Sequence, residues 1–346
     1  LWNNSSTPEK MKKLLLCSML MLTCVFEGFS QRQFEVGFST GITNYFGDLG
    51  NDDLVQTTST RPGMAVTFRN FLGKPKYGYE YHPFNVEARL SWHRIGYDET
   101  KPIGGRKGYQ LRNYGRGIGF RTDVLGTSVH ITYTLYADRR KNLSQQHAAL
   151  FLFTGAGLYY AQPKADLFRG SVDPDNRYYF WNDGTIRDQP ESTGRGNIIE
   201  KDGTYETNLK DWHTEGQGAK GELSRKKEYS YLHFGIPFGM GFRYGLGKKT
   251  TLSLEFGYYK FLTDYLDDVH NSYLTYDEIN YLYPNDPEKQ ELAKYISDPT
   301  GRGTIGYPGP ATSARGNPAT NDGYSFINLE IAYTFSFDPR KWSKWF

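Results

Sequence analysis

The chain has 346 residues, with 41 Lys and Arg against 38 Asp and Glu for a formal net charge of +3, and 28 Tyr, 22 Phe and 6 Trp beside 38 Gly. Charge this close to balance gives no reason to expect a nucleic-acid partner. A mean hydropathy of -0.66 with a single apolar run excludes a polytopic helical membrane protein, which needs several runs of about 20 apolar residues.

The apolar run is Leu14 to Phe26, preceded by Met11, Lys12 and Lys13 and followed by Gly28, Phe29 and Ser30. A charged start, a short apolar centre and small residues before the cut describe a secretory signal peptide cleaved after Ser30. Met11 is the expected start, so residues 1–30 are upstream residues and leader, and residues 31–346 are the expected exported domain. Thr23 is bulkier than the residue that normally precedes a lipidated cysteine, so Cys24 is not expected to carry lipid. Cys17 and Cys24 both fall in the leader. The exported chain is therefore expected to fold without disulfides and to offer neither thiol catalysis nor a cysteine-ligated metal.

From Phe34 onward the pattern has period two, which sends successive side chains to opposite faces of a strand. Phe34, Val36, Phe38 and Ile42 alternate with Glu35, Gly37, Ser39 and Gly41. Met64, Val66 and Phe68 alternate with Ala65, Thr67 and Arg69, and Val86, Leu90 and Trp92 with Glu87, Arg89, Ser91 and His93. A fourth strand sets Val129, Ile131, Tyr133 and Leu135 against Ser128, His130, Thr132 and Thr134. A fifth, over about 147–161, is apolar on both faces. The sixth sets Phe234, Ile236, Phe238, Met240 and Phe242 against His233, Gly235, Pro237, Gly239, Gly241 and Arg243. The seventh sets Leu252, Leu254 and Phe256 against Ser253, Glu255 and Gly257. The eighth sets Ile327, Leu329, Ile331 and Tyr333 against Asn328, Glu330, Ala332 and Thr334.

Long connections (46–61, 98–126, 163–228, 264–322) alternate strictly with short ones (72–81, 138–146, 247–250). This asymmetry predicts an all-β fold, an up-and-down antiparallel transmembrane β-barrel of about eight strands. Its long loops would be extracellular, its short turns and both termini periplasmic, and its partner the lipid of the outer membrane. The charges on the polar face, Glu35, Arg69, Glu87, Arg89, Arg243, Glu255 and Glu330, would then fill the lumen and neutralise one another. Pro237 lacks a ladder donor and predicts a bulge or an interrupted ladder. Within the last long loop, Asp286 followed by Pro287 reads as N-cap and N1 of a short helix over 287–296.

Several motifs carry less than they spell. Gly37-Phe38-Ser39-Thr40-Gly41 matches a nucleophile elbow, but it lies inside a strand with no helix to follow. His93, His130 and His233 project inward near serines and acids, where lumen hydrogen bonding is the ordinary role. Asp173-Pro174-Asp175-Asn176 lacks the glycine and terminal glutamate of a calcium loop. No catalytic residue, cofactor or metal ligand is therefore assigned. Three clusters at one end of the expected barrel stand out: Thr214 to Gly218, Thr263 to Val269, and Arg315 to Pro318. Arg315 is expected to pair with Asp267 or Asp268 and clamp two loops together.

With Asn44 to Leu49, Ile236 to Gly239, Asp322 and Tyr324, these clusters make the sequence resemble the PorG-like outer-membrane barrels of Bacteroidota over nearly the whole exported chain. The resemblance implies a non-enzymatic anchor or accessory subunit of a type IX secretion complex, docked to periplasmic ring proteins or a lipoprotein. Other members are paralogues without an assigned role. The tail, with Trp342, Trp345 and Phe346, would be a partner contact or an interfacial aromatic anchor. Two other readings are a small-solute or lipid-handling barrel, channel or enzyme, and a receptor or adhesin acting through its extracellular loops.

Overall fold

The computed structural model describes residues 33–50, 59–71, 84–100, 114–137, 148–218, 228–247, 249–303 and 314–336. The alternating segments are strands β1 (Gln33–Phe46), β2 (Arg61–Phe71), β3 (Phe84–Asp98), β4 (Gly119–Ala137) and β5 (Ala148–Ala165). Three two-residue strands follow, β6 (Tyr179–Phe180), β7 (Ile186–Arg187) and β8 (Thr207–Asn208). The last long strands are β9 (Leu232–Gly245), β10 (Thr250–Phe261) and β11 (Gly323–Ser336). Each long strand pairs antiparallel with its neighbours, β5 with β9, and β11 closes back onto β1. Among the described residues, eight strands thus form a closed barrel.

Register follows from which face must be dry. On the outside Phe38, Ile42, Met64, Leu254, Phe256 and Ile331 stand 43–56% exposed. A soluble protein rarely shows an apolar surface this continuous, and the hydrocarbon of a bilayer covers it. On β4 the outward positions from Leu135 to Leu125 are apolar except for the buried Thr127. The next outward residue, Asp123, is ion-paired with Arg94 at 2.7 Å on a half-exposed surface. Ten residues tilted near 40° climb about 25 Å, the height of the apolar band in such membranes.

Strand four was expected to start after residue 126, but β4 starts at Gly119. Above the lipid its outward residues are Arg121 and Asp123, so the apolar signal that marks a membrane strand is lost there while the pairing continues. Pro237 stands opposite Tyr259 in β10. On its other side the β5 ladder is interrupted between Thr154↔Phe238 and Gly157↔Gly235 without a shift of register, as its missing N–H demands.

The long connections build a cap on the end where β4 and β5 project. It holds helix α1 (Tyr276–Leu282), closed by a Thr275/Glu278 capping box, and helix α2 (Pro287–Ser297), with Asp286 accepting from Lys289 N at 3.0 Å. These pack on Ile118, Leu167, Phe168, Tyr178 and Leu209 as one apolar core continuous with the aromatic residues at the barrel mouth. Asp173 to Asn176 form a single 3-10 turn capped by the Asp173 side chain.

Candidate functional site

Cross-strand register brings the charged residues of the lumen into one layer. Glu35 lies opposite Arg69, Arg69 opposite Glu87, and Glu87 opposite His130. The Arg69 guanidinium meets three carboxylates, Glu35, Glu87 and Glu330, the last at 2.9 Å. Arg89 lies 3.0 Å from Glu255 and 3.4 Å from Glu87, and Arg243 3.7 Å from Glu87. The hydroxyl of Thr132 donates to Glu87 at 2.9 Å and that of Thr251 to Glu35 at 3.2 Å. All seven charged residues predicted for the lumen therefore meet in this layer. Such a layer is tolerated only because each charge finds opposite charges and donors.

Above it the bore is filled by aromatic rings. Tyr259 stacks on Tyr324 with centroids 4.9 Å apart, and the Nδ1 of His93 lies 2.9 Å from the Tyr324 hydroxyl. His130 bonds through Nε2 to Ser128 at 2.8 Å, while its Nδ1 has no hydrogen-bond partner. Ser39 donates to the carbonyl of Ala65. A nucleophile–base arrangement needs a third group to orient the base, and the free Nδ1 of His130 is the place where it would bind.

The mouth is closed by a second polar node drawn from all four long connections. Arg315, 1% exposed, donates through Nη1 to the backbone carbonyl of Asp268, to Thr214 at 3.2 Å and to Glu215 at 3.3 Å, with the Asp268 carboxylate 3.6 Å away. Glu215 also accepts from His270 N at 2.8 Å and Asn271 N at 3.0 Å. Asp268 accepts from the hydroxyls of Tyr229, at 2.7 Å, and Thr214. Arg116 pairs with Glu99 and donates to the carbonyls of Arg315 at 2.7 Å and Asp48 at 3.1 Å.

Of the two aspartates expected to pair with Arg315, Asp268 is the one that does. Asp267 does not meet Arg315; it accepts from the Tyr45 hydroxyl and from Val269 N at 2.9 Å, and turns toward Asp322. Adjacent residues in this loop point apart, so one aspartate faces Arg315 and the other faces β1. Asp268 itself has a φ of 65°, an uncommon left-handed conformation for a residue with a side chain.

The short motifs have physical causes. Gly216 has a φ of 77°, and a Cβ on Gly316 would lie 2.4 Å from an Asp48 carboxylate oxygen and 2.8 Å from His270 N. Tyr45, Asp48, Glu99, Arg116 and Tyr229 were not singled out from sequence as members of the clamp, although Tyr45 and Asp48 belong to the Asn44–Leu49 run. Trp342, Trp345, Phe346 and the turns 72–81 and 138–146 lie outside the described residues.

Acidic residues dominate the node. Burial pushes the Asp264 carboxyl up to about 9, with Asp48 and Asp267 adding to the shift. Burial likewise raises Asp267 and Asp322, and it raises Asp268 to about 6 against the pull of Arg315. Protons, as well as guanidinium groups, therefore neutralise the mouth.

No protein-family model and no curated protein matches the chain. Among solved structures it is similar to Ail, the attachment invasion locus protein of Yersinia pestis, at 8% identity and a TM-score of 0.32 over 88% of this chain and 98% of that one. It is similar to Neisserial surface protein A at 8% identity and 0.31, over 87% and 96%. It is also similar to the outer-membrane enzyme PagL at 11% and 0.26, over 86% and 98%. The fold is that of a small outer-membrane β-barrel, as the closed strand pairing and the apolar outer band require.

Proposed function

We propose that this protein is a non-enzymatic outer-membrane barrel that acts through its surfaces, as an anchor or accessory subunit of a protein secretion or assembly complex. The observation that carries the reading is the filled bore. An ion-paired layer, stacked aromatics and a clamped mouth leave no route through the described barrel for a solute, so its work falls to what it holds on either side. The resemblance to PorG-like barrels supports a periplasmic ring or lipoprotein as the partner. It also supports an orientation with both termini and the short turns 72–81 and 138–146 facing that partner and the cap outside. Mild detergent extraction followed by capture of the tagged barrel tests this. Co-recovery of a periplasmic lipoprotein or ring component is expected, and a barrel that always emerges alone overturns it.

The folded cap favours a second reading, a receptor or adhesin working through its extracellular loops. Deleting residues 170–200, which the barrel wall does not need, would abolish surface attachment under that reading and leave complex assembly intact under the first. A lipid-handling enzyme is the third, and individual substitutions of Ser39, His130 and His233 are expected to leave any lipid hydrolysis or acyl transfer unchanged.

A further inference from the structure

The fold brings Asp166 together in the cap with Asp202 and Glu206, which lie four residues apart in the loop before β8. Asp166 directly follows β5, Glu206 directly precedes β8, and Asp202 lies in the loop between them. Each offers an oxygen within 4.8 Å of those offered by the other two. Backbone donors hold all three in place. Gly203 N donates to Asp166 Oδ2 at 2.7 Å, Gly170 N to Asp202 Oδ2 at 2.8 Å, and Leu167 N and Phe168 N to Glu206 Oε1 at 3.0 Å each. The Thr204 hydroxyl donates to Asp202 Oδ1 at 2.7 Å and lies 3.2 Å from Glu206 Oε2.

A separate observation points to a ligand. Asp166 is 4% exposed, and its Oδ1 has no hydrogen-bond partner. A buried carboxylate oxygen left this way is costly unless something positive reaches it. Lys201 is the nearby cation that acts on Asp166, but its ammonium already lies 3.5 Å from Asp98. That ammonium is thus shared between Asp166 and Asp98.

We propose that Asp166, Asp202 and Glu206 bind a single calcium ion that fastens the end of β5 to the cap. Oxygens within 4.8 Å of one another fit around a sphere of radius about 2.4 Å, the calcium–oxygen distance. The donor set is entirely oxygen, with no imidazole or thiolate to favour zinc. Ligands from three separate loop positions suit the irregular six- to eight-fold shell that calcium accepts and magnesium resists. The Thr204 hydroxyl and water would complete it.

The test uses the full exported chain refolded in detergent, freed of metal with EGTA and titrated calorimetrically with calcium chloride and, separately, magnesium chloride. One saturable calcium site is expected, with magnesium weaker by about tenfold or more. Asp166→Asn and Glu206→Gln should each weaken calcium binding by about tenfold or more while the heat-modifiable gel shift of the barrel persists. In the unaltered chain, proteolytic cleavage within 166–206 should slow by about tenfold in calcium relative to EGTA. No saturable calcium binding by the unaltered chain, equal cleavage with and without calcium, or undiminished affinity in either folded variant overturns the proposal. The first two results come from the unaltered chain, so a variant that fails to fold does not shelter the idea.

Discussion

Replacing Arg315 with alanine removes the cation that joins the 214–218 and 264–271 segments to the connection before β11. Severing a buried ion pair costs about 3–5 kcal/mol when it strands the remaining charge. Here the stranding is partial, since Glu215 keeps His270 N and Asn271 N, and Asp268 keeps Tyr229 and Thr214. The lower figure applies, and about 3 kcal/mol is roughly a 150-fold rise in the open population of the clamp at 1.36 kcal/mol per tenfold. Hydrogen exchange of the detergent-held barrel reads this directly, because the amides of His270 and Asn271 are bonded to Glu215 and exchange only on opening. Peptides over 264–271 should exchange about 100-fold faster in Arg315→Ala, with β1 and β2 unchanged. Exchange within threefold of the unaltered protein, or equal acceleration along the barrel wall, refutes the clamp.

In the lumen, Arg69→Met should destabilise the barrel by about 3–5 kcal/mol in urea unfolding from lipid vesicles, because three carboxylates lose a shared partner; adding Glu87→Gln should recover part of that loss. The raised carboxyls of the mouth set the sign of a pH effect. A group whose folded pKa lies above its unfolded value stabilises fully below the unfolded value and loses that contribution as pH rises through the folded one. The Asp264 pair of values, 3.8 and about 9, therefore predicts a cap that loosens progressively as pH rises from about 4 to 9, seen as faster proteolysis of 264–271 at pH 9 than at pH 6. Planar bilayers containing the refolded protein should show no steady conductance, since the charge layer and the rings above it fill the bore; stable single-channel steps would contradict that filling.

The barrel wall was legible because lipid on one face and a charge-filled lumen on the other impose a strict two-residue alternation. Where that contrast fades, the residues no longer mark a strand. The upper turns of β4 carry Arg121 and Asp123 outward and read as loop, although the ladder runs on. Helix α2 announced itself through Asp286 and Pro287, whereas the seven-residue α1 has too few turns to show a period. In the clamp, the sequence put Arg315 beside an aspartate, but it could not choose between neighbours whose side chains diverge. Glu99 and Arg116 belong to segments with no motif, and they meet the clamp only because β3 and β4 deliver them to the mouth. The Asp166, Asp202 and Glu206 group has no regular spacing, so only the folded loop reveals it.

The two longest strands, β4 and β5, run without a break from the bilayer into the cap, and β8 adds a rung at the top. A tug on the cap is therefore transmitted along backbone ladders that must slide past each other all at once, instead of unzipping one bond after another. A cap built this way resists shear across the strands and yields only where its own ladders melt.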